Sequence, residues 1–269
     1  MISQAFITAW RGKVPWQDDA QVEQDLVLTR ALIELFGSAE IADGIALRGG
    51  TALNKLFLFP GARYSEDIDL VQTTVQPAGL LFDGIGRVLN PWLGKPKRTM
   101  SGANISLVYR FESEIAPVRP LRLKIEINTR EHFSVLGLRE QELSVDNPWF
   151  SGTAKIRTYR LDELLGTKLR ALYQRRKGRD LFDLWMCLDR GLIDARLVVD
   201  CFGRYMEAEG QRVTRAQFEQ NLHEKAMDRG FMGDIGPLLA AGTEYESTSA
   251  MKAVRERLVA LLPGEPWKG

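Results

Sequence analysis

Two aspartates separated by one residue, Asp67 and Asp69, are the side chains best suited to chemistry in this 269-residue sequence. They lie in the segment D-I-D-L-V, residues 67–71, in which polar and apolar residues alternate as in a half-buried β-strand. Successive side chains of a strand point to opposite faces, so both carboxylates share one face while Ile68 and Leu70 point to the other. Two carboxylates this close repel each other, which raises the pKa of at least one of them or destabilises the strand unless a cation neutralises them. The pair therefore predicts a cation site.

Magnesium is the cation that suits this pair, with manganese as its substitute. Mg²⁺ prefers hard oxygen ligands and commonly uses one or two carboxylates together with substrate phosphates, as in phosphoryl and nucleotidyl transfer. A third carboxylate, Glu126, lies on the polar face of a second predicted strand, Leu121 to Asn128. The chain contains two histidines and two cysteines, which excludes a site built on several imidazoles and argues against a cysteine-based zinc site. The alternative interpretation of these carboxylates is a solvent-exposed strand face that binds no ligand.

A glycine pair lies between a predicted strand, Ile45 to Leu47, and a predicted helix that Pro60 ends. Gly49 and Gly50 form the turn, and Thr51 is placed to cap the helix. Backbone N–H groups and the helix dipole at such a start attract phosphate, and glycine permits close approach of the backbone. The turn predicts nucleotide binding, with a plain tight turn as the alternative; no G-K-[ST] follows, so it is not a Walker A loop. Two residues of the loop before Asp67 add a candidate phosphate-binding charge and hydroxyl: Arg63 and Ser65.

A lysine interrupts the apolar face of a third element, a helix predicted over residues 161–176. Its leucines recur at helical spacing, and Lys168 falls in the middle of their stripe. Burying an unpaired ammonium is costly, so Lys168 must extend to solvent, pair with a carboxylate or line a wet cleft. The segment Lys168 to Arg179 holds six cations and no anion, which suits a phosphate-rich partner or, alternatively, a solvated helix face. The cations proposed to bind RNA are Arg175, Arg176, Lys177 and Arg179.

An aspartate follows this basic segment. Gly178 is predicted to end the first helix, and Asp180 is placed to cap the next one with its carboxylate. A structural cap and a catalytic carboxylate are the two interpretations that stay open for Asp180. Asp183 is a candidate partner of Arg179, one helical turn earlier.

Composition limits the class of protein. The chain has 36 Lys and Arg against 35 Asp and Glu, with 45% hydrophobic residues, which is typical of a folded globular protein and not of a disordered or coiled-coil chain. Two cysteines in apolar surroundings argue against a disulfide scaffold. No run reaches the roughly 18 apolar residues of a membrane span, so we expect a cytoplasmic protein without a membrane partner.

The pattern of elements changes along the chain. Strand candidates, among them Ile105 to Glu112, dominate the first half, whereas helical periodicity dominates from about residue 150. We therefore expect two domains, one over residues 1–150 and a helical one over residues 151–269. Helices in the second are predicted over residues 161–176, 181–190, about 195–225 and 249–262.

Four segments occur in a fixed order: L-R-G-G-T-A-L at residues 47–53, R-Y-S-E-D-I-D-L at 63–70, K-I-E-I at 124–127 and K-L-R-A-L-Y-Q-R-R-K-G-R-D-L-F-D-L at 168–184. Together they resemble the AbiEii/AbiGii toxin family, nucleotidyltransferase-like toxins of bacterial type IV toxin–antitoxin systems that include the MenT group. The resemblance spans residues 47–184, whereas the last third of the chain adds little to it.

The resemblance implies an α+β fold. Its core is the polymerase-beta-like nucleotidyltransferase core, a small mixed sheet flanked by helices, and a helical C-terminal lobe completes the active-site cleft. Carried over by position, the resemblance gives nucleotide binding to the glycine pair and Ser65, metal binding to Asp67 and Asp69, and an acidic strand position to Glu126. Lys168 and Asp180 would be catalytic or would bind the triphosphate.

The activity that the resemblance implies is transfer of a nucleoside monophosphate from an NTP to an acceptor hydroxyl, with Mg²⁺ or Mn²⁺. The tRNA 3′ end is the first expected acceptor, and a cognate AbiEi-like antitoxin is the expected protein partner. One alternative is a nucleotidyltransferase acting on a protein or small-molecule hydroxyl. A non-catalytic module that binds nucleotide or antitoxin is another, and a hydrolytic nuclease would use similar carboxylates without an NTP.

Overall fold

The computed structural model describes residues 2–101 and 104–269. The chain divides into two compact units, the first ending at Tyr159 and the second beginning at Arg160. The division lies after the expected position near residue 150, because the last strand of the first unit runs from Phe150 to Tyr159.

One mixed sheet of seven strands forms the centre of the first unit within the described residues, in the order β3-β4-β5-β2-β1-β7-β6. The pairs β1–β7 and β2–β5 are parallel, and the other neighbouring pairs are antiparallel. The mixed sheet with flanking helices confirms the predicted α+β class. The strands are β1 (Ile45–Arg48), β2 (Asp67–Gln72), β3 (Lys97–Ser101), β4 (Asn104–Glu112), β5 (Pro120–Asn128), β6 (Leu138–Asn147) and β7 (Phe150–Tyr159).

A long helix covers one face of this sheet. The helix α2 begins after Asp18, whose carboxylate accepts a hydrogen bond from the Ala20 amide, and it ends at Gly37. Its leucines are fully buried, including Leu26 and Leu32, and it packs on β7, β5 and β2. The helical segments of this unit are α1 (Gln4–Arg11), α2 (Asp19–Gly37), α3 (Gly49–Ala52), which continues as a π-helical turn (Leu53–Phe57), and α4 (Ala78–Leu93), with a 3₁₀ turn at Ala42–Gly44.

Alternation along the central strands separates the core from the polar face. On β5, Leu123, Ile125 and Ile127 are fully buried, whereas the residues between them remain partly accessible. On β2, Ile68 and Leu70 are buried in the same way. The period-two pattern of the sequence therefore predicts correctly which face of each strand enters the core.

Helices make up the second unit. The region predicted to be helical over about residues 195–225 contains two helices, because Gly210 adopts a φ of 73° after the first and Thr214 forms a capping box with Gln217 at the start of the second. No helix in the described part of the chain is long and apolar enough to cross a membrane. The helices are α5 (Leu161–Gln174), α6 (Gly178–Asp189), α7 (Ala195–Ala208), α8 (Arg215–Ala226), α9 (Arg229–Gly233) and α10 (Ser247–Arg257), with 3₁₀ turns at Gly236–Leu238 and Val259–Leu261.

Candidate active site

The central strand β2 places Asp67 and Asp69 on the polar face of the sheet. Its neighbour β5 runs parallel to it, so that Lys124 lies opposite Asp67 and Glu126 lies opposite Asp69. On the other side of β2, Arg48 at the end of β1 also lies opposite Asp69. Two strands thus bring the three predicted carboxylates together on one face, with Lys124 and Arg48 beside them.

The environment of the Asp67 carboxyl group disfavours its charged form. Burial raises its pKa to about 6, and the charges of Asp69, Glu66 and Glu126 act in the same direction, whereas Lys124 opposes them. Its Oδ1 atom is buried and has no hydrogen-bond partner among the described residues. An unpartnered carboxylate oxygen beside a second carboxylate fits a hard divalent cation.

Glu126 has a different environment. Its carboxylate forms an ion pair with Lys124, the residue two positions before it on the same strand. Burial lowers the pKa of Lys124, but the hydrogen bond to Glu126 and the charges of Glu126 and Asp67 outweigh this and raise it above its ordinary value. The described residues contain no group of three or more His, Cys, Asp or Glu arranged to hold a metal ion. The residues present therefore fit a two-carboxylate site, in which the remaining Mg²⁺ ligands are water and substrate oxygens.

The glycine turn is packed against the chain's own side chains. A Cβ atom at Gly49, where φ is +77°, would lie 2.0 Å from Oδ2 of Asp69. A Cβ atom at Gly50 would lie 2.4 Å from a guanidinium nitrogen of Arg63 and 2.9 Å from the Ser65 hydroxyl. The left-handed backbone favours glycine at Gly49, and a larger side chain at Gly50 would have to displace Arg63 and Ser65, whereas the sequence suggested a phosphate as the reason for the glycine pair.

Thr51 does not cap the helix, contrary to the prediction. The left-handed backbone of Gly49 lets the helix begin at Gly49, and its N-cap residue is Arg48, which forms no side-chain cap. The Thr51 hydroxyl instead lies 2.9 Å from the Ser65 hydroxyl and 2.5 Å from the Asp67 carbonyl oxygen. The predicted helix before Pro60 is present, as the single turn α3 that passes into a π-helical turn ending at Phe57.

Arg63 is buried beside the turn, and its guanidinium donates a 3.0 Å hydrogen bond to the Tyr64 carbonyl. Asn54, which the sequence analysis missed, holds this loop in place. Its side-chain nitrogen donates to the Gly50 carbonyl at 3.0 Å, and its oxygen accepts from the amides of Ala62 at 3.1 Å and Arg63 at 3.3 Å. No periodic pattern identifies Asn54, because it joins a residue one helical turn earlier to two residues of the loop that follows the helix.

In the second unit, Lys168 is buried between two carboxylates. Its ammonium nitrogen lies 3.2 Å from Oδ1 of Asp180 and 2.9 Å from Oδ2 of Asp183, both fully buried. Among the options open from the sequence, pairing is the one that the structure contains.

Asp180 is not a helix cap. It lies in the first turn of α6, whose N-cap residue is Lys177, and Gly178 begins this helix instead of ending the preceding one. Arg175 donates two hydrogen bonds to the Asp180 carboxylate, at 2.7 and 2.9 Å. Burial favours the neutral acid, but the charge of Lys168 and the hydrogen bonds and charge of Arg175 outweigh it and lower the pKa of Asp180 to about 2.

The basic segment that follows α5 faces acidic side chains. Arg176 lies 3.6 Å from Asp228, and Lys177 lies 3.9 Å from Asp234. Both cations remain about half exposed, so these long ion pairs neutralise them only weakly. The local positive charge is therefore smaller than the sequence alone suggests, since Arg175 is also paired.

Two solved structures are similar to this chain to different degrees. The solved structure of MenT4, a nucleotidyltransferase toxin from Mycobacterium tuberculosis H37Rv, is similar with a TM-score of 0.67 and 17% identity, over 98% of this chain and 91% of that one. A nucleotidyltransferase-like antigenic protein from Paracoccidioides brasiliensis matches with a TM-score of 0.39 and 15% identity, over 86% of this chain and 93% of that one. The comparison with curated proteins gives no significant match.

A family model covers most of the sequence. The model described as "Nucleotidyl transferase AbiEii toxin, Type IV TA system" matches residues 30–256, which include both the carboxylate pair and the buried lysine. The likeness to MenT4 confirms the nucleotidyltransferase-type fold that the sequence motifs imply. The chain belongs to the AbiEii nucleotidyltransferase toxin family of type IV toxin–antitoxin systems, and it is a nucleotidyltransferase.

Proposed function

We propose that this nucleotidyltransferase uses Mg²⁺, or Mn²⁺ in its place, to transfer a nucleoside monophosphate from an NTP to the 3′ end of tRNA. The observation that carries the proposal is the Oδ1 atom of Asp67, which is buried beside Asp69 and has no hydrogen-bond partner among residues 2–101 and 104–269. Such a pair is unfavourable in the protein alone, and a dication with a bound triphosphate would relieve it.

Asp67 and Asp69 would hold the metal, which supplies charge neutralisation on the triphosphate when bound. Glu126, opposite Asp69, is the remaining carboxylate of the site, and either it or Asp67 would accept the proton of the acceptor hydroxyl. The hydroxyl oxygen forms a bond to the α-phosphorus, the bond between the α- and β-phosphates breaks, and pyrophosphate leaves. Nucleotide binding falls to the residues of the glycine turn and its neighbouring loop: Gly49, Gly50, Thr51, Arg63 and Ser65.

Lys168 and Asp180 are two further residues proposed to take part in the reaction. An ammonium has three N–H donors, and Lys168 uses two of them on Asp180 and Asp183. This leaves one donor for a further acceptor such as a phosphate oxygen. Asp180 would then fix the orientation of Lys168.

The RNA acceptor is supported by the cations of the segment Lys168 to Arg179 that are not buried: Arg175, Arg176, Lys177 and Arg179. The cognate antitoxin of this type IV system would be AbiEi-like, and the cytoplasm is the proposed location, since NTPs and tRNA are found there. The alternative acceptor, a protein or small-molecule hydroxyl, is favoured by the acidic partners of Arg175, Arg176 and Lys177, which reduce the charge available to RNA.

Incubation of the purified chain with total tRNA and each labelled NTP in turn, with Mg²⁺ or with EDTA, tests the proposal. We expect label from one NTP in tRNA, with Mg²⁺ and not with EDTA. Asp67→Ala should abolish incorporation while the fold remains intact by circular dichroism, whereas Asp146→Asn, at a side chain that is 93% exposed, should leave it unchanged. Incorporation that persists in Asp67→Ala would contradict the metal assignment, and label in protein alone would favour the alternative acceptor.

A further inference from the structure

The polar face of the sheet carries a group of cations beside the carboxylate pair. On β4, the buried residues alternate with residues that face the same side as the site, and Arg110 is exposed there. Lys97 on β3 and Arg122 on β5 are exposed as well, and Lys124 on β5 is half-buried. We call these four residues, Lys97, Arg110, Arg122 and Lys124, the sheet-face cations.

Strand register places these cations on the same face as the carboxylates. Lys97 lies opposite Val108, which lies opposite Lys124, which in turn lies opposite Asp67. Paired residues of neighbouring strands point to the same face, so this row runs straight across four strands from Lys97 to Asp67. At about 4.8 Å per strand, the row extends roughly 14 Å from the site.

The second row of the group contains a like-charge pair. Arg110 on β4 lies directly opposite Arg122 on β5, an arrangement that destabilises a sheet unless the charges are neutralised. Arg122 has one ion pair, with Glu66 at 3.3 Å, and its side chain remains 53% exposed. Arg110 and Lys97 form no ion pair within residues 2–101 and 104–269. The chain therefore keeps unneutralised positive charge next to its reaction site.

We infer that the sheet-face cations bind the phosphodiester backbone of the RNA acceptor and guide its 3′ end to Asp67 and Asp69. The inference rests on the proposed function, and it adds a binding surface separate from the basic segment that follows α5. A flexible polyanion suits this face because phosphates neutralise the Arg110–Arg122 pair, and because the row that begins at Lys97 ends at Asp67. A protein partner that uses the same face is the competing outcome.

Neutralising two of the cations gives a quantitative test. Lys97→Gln/Arg110→Gln removes two phosphate contacts, so the slope of log affinity against log salt should fall by about 1.4 if the bound strand is single-stranded. The matched control is Arg87→Gln/Arg98→Gln, which removes the same charge from the helix side of the sheet, where Arg87 pairs with Glu40 and Arg98 stacks on Phe82. The control should keep the wild-type slope.

Titrations of labelled tRNA at several NaCl concentrations, NTP binding and label incorporation would be measured on all three proteins. We expect the first variant alone to bind tRNA at least tenfold more weakly and to raise the KM for tRNA, with unchanged NTP affinity. Equal weakening in both variants, or an unchanged slope in the first, overturns the inference, as does loss of antitoxin binding with tRNA binding intact. A changed slope without any incorporation in the wild type would instead contradict the proposed function and leave the surface standing.

Discussion

Each of the two units contains a pair of buried or half-buried aspartates, and the two pairs are neutralised in opposite ways. In the helical unit, Asp180 and Asp183 are fully buried and share the ammonium of Lys168, with Arg175 as an additional partner of Asp180. In the sheet unit, an oxygen of Asp67 is buried without any hydrogen-bond partner in the described part of the chain.

The pKa values express this difference. Burial tends to raise both values, but the pKa of Asp180 is lowered to about 2 by its cations, whereas that of Asp67 is raised to about 6 with only Lys124 opposing. A buried carboxylate that is paired with cationic side chains of the protein contributes to its stability. A buried carboxylate without such partners is neutralised only when a ligand binds. The comparison therefore separates an aspartate pair that the protein's own cations neutralise from one whose charge is left for a substrate or metal to neutralise.

The largest expected effect follows from removing the shared cation. Lys168→Met leaves two fully buried carboxylates without it, and we expect a loss of about 3 to 5 kcal/mol in the free energy of unfolding. Urea unfolding measures this loss, and Lys252→Met, at an exposed lysine, is the control. Lost activity at wild-type stability would show that Lys168 acts on the substrate and not on the fold.

Substitution of Asp67 should change the free energy of unfolding in the opposite direction. An acid whose folded pKa is raised destabilises the fold at any pH above that pKa, and the penalty disappears below its ordinary value. Asp67→Asn should therefore stabilise the metal-free protein by about 1 to 3 kcal/mol at pH 8. The gain should shrink as the pH falls through about 6 and vanish below about 3.8.

Urea unfolding in EDTA at pH 8, 6 and 4 measures this gain, with Asp43→Asn, at a side chain that is 88% exposed, as the control. A destabilised Asp67→Asn variant at pH 8 would mean that the carboxylate is a structural group.

Asp180 should show the opposite pH dependence. A depressed folded pKa contributes stability that is present above the ordinary value of 3.8 and is lost as the pH falls through about 2. Asp180→Asn should cost about 2 kcal/mol at pH 7, and the difference from the wild type should narrow below pH 4. A difference that stays constant between pH 7 and pH 3 would contradict the ionic origin of this stability.

Local patterns predicted the carboxylate pair and much of the fold. Alternation along residues 67–71 and 121–128 was sufficient to assign the polar and buried faces of β2 and β5. The parallel pairing that puts Glu126 opposite Asp69 joins strands far apart in the sequence, so no local pattern contains it.

The errors came from close packing between segments. Thr51 has the residue type of a cap, but Gly49 begins the helix earlier and turns Thr51 towards Ser65. The anomalous position of Lys168 was visible in the sequence, whereas its choice of Asp180 and Asp183 depends on how α5 packs on α6. Side-chain types and periodicity thus identify candidate residues, and tertiary contacts decide their roles.

A smaller effect is expected from the metal. A ligand that binds the folded chain alone stabilises it by about 1.4 kcal/mol at ten times its Kd. Mg²⁺ should therefore raise the unfolding free energy of the wild type and of Lys124→Gln, but not that of Asp67→Asn. Equal stabilisation of all three proteins would place the ion elsewhere.

The smallest effect contrasts two adjacent arginines. Arg175 and Arg176 have similar exposure, at 50% and 60% of the side chain, but Arg175 contacts the buried Asp180 at 2.7 Å whereas Arg176 lies 3.6 Å from the half-buried Asp228. We expect Arg175→Gln to cost about 1 kcal/mol of stability and Arg176→Gln less than about 0.5 kcal/mol. Parallel urea titrations would compare them, and equal losses would mean that burial of the anionic partner does not determine the strength of these ion pairs. Since the substitutions remove the same charge from neighbouring positions, any difference between them reports the partner and not the net charge.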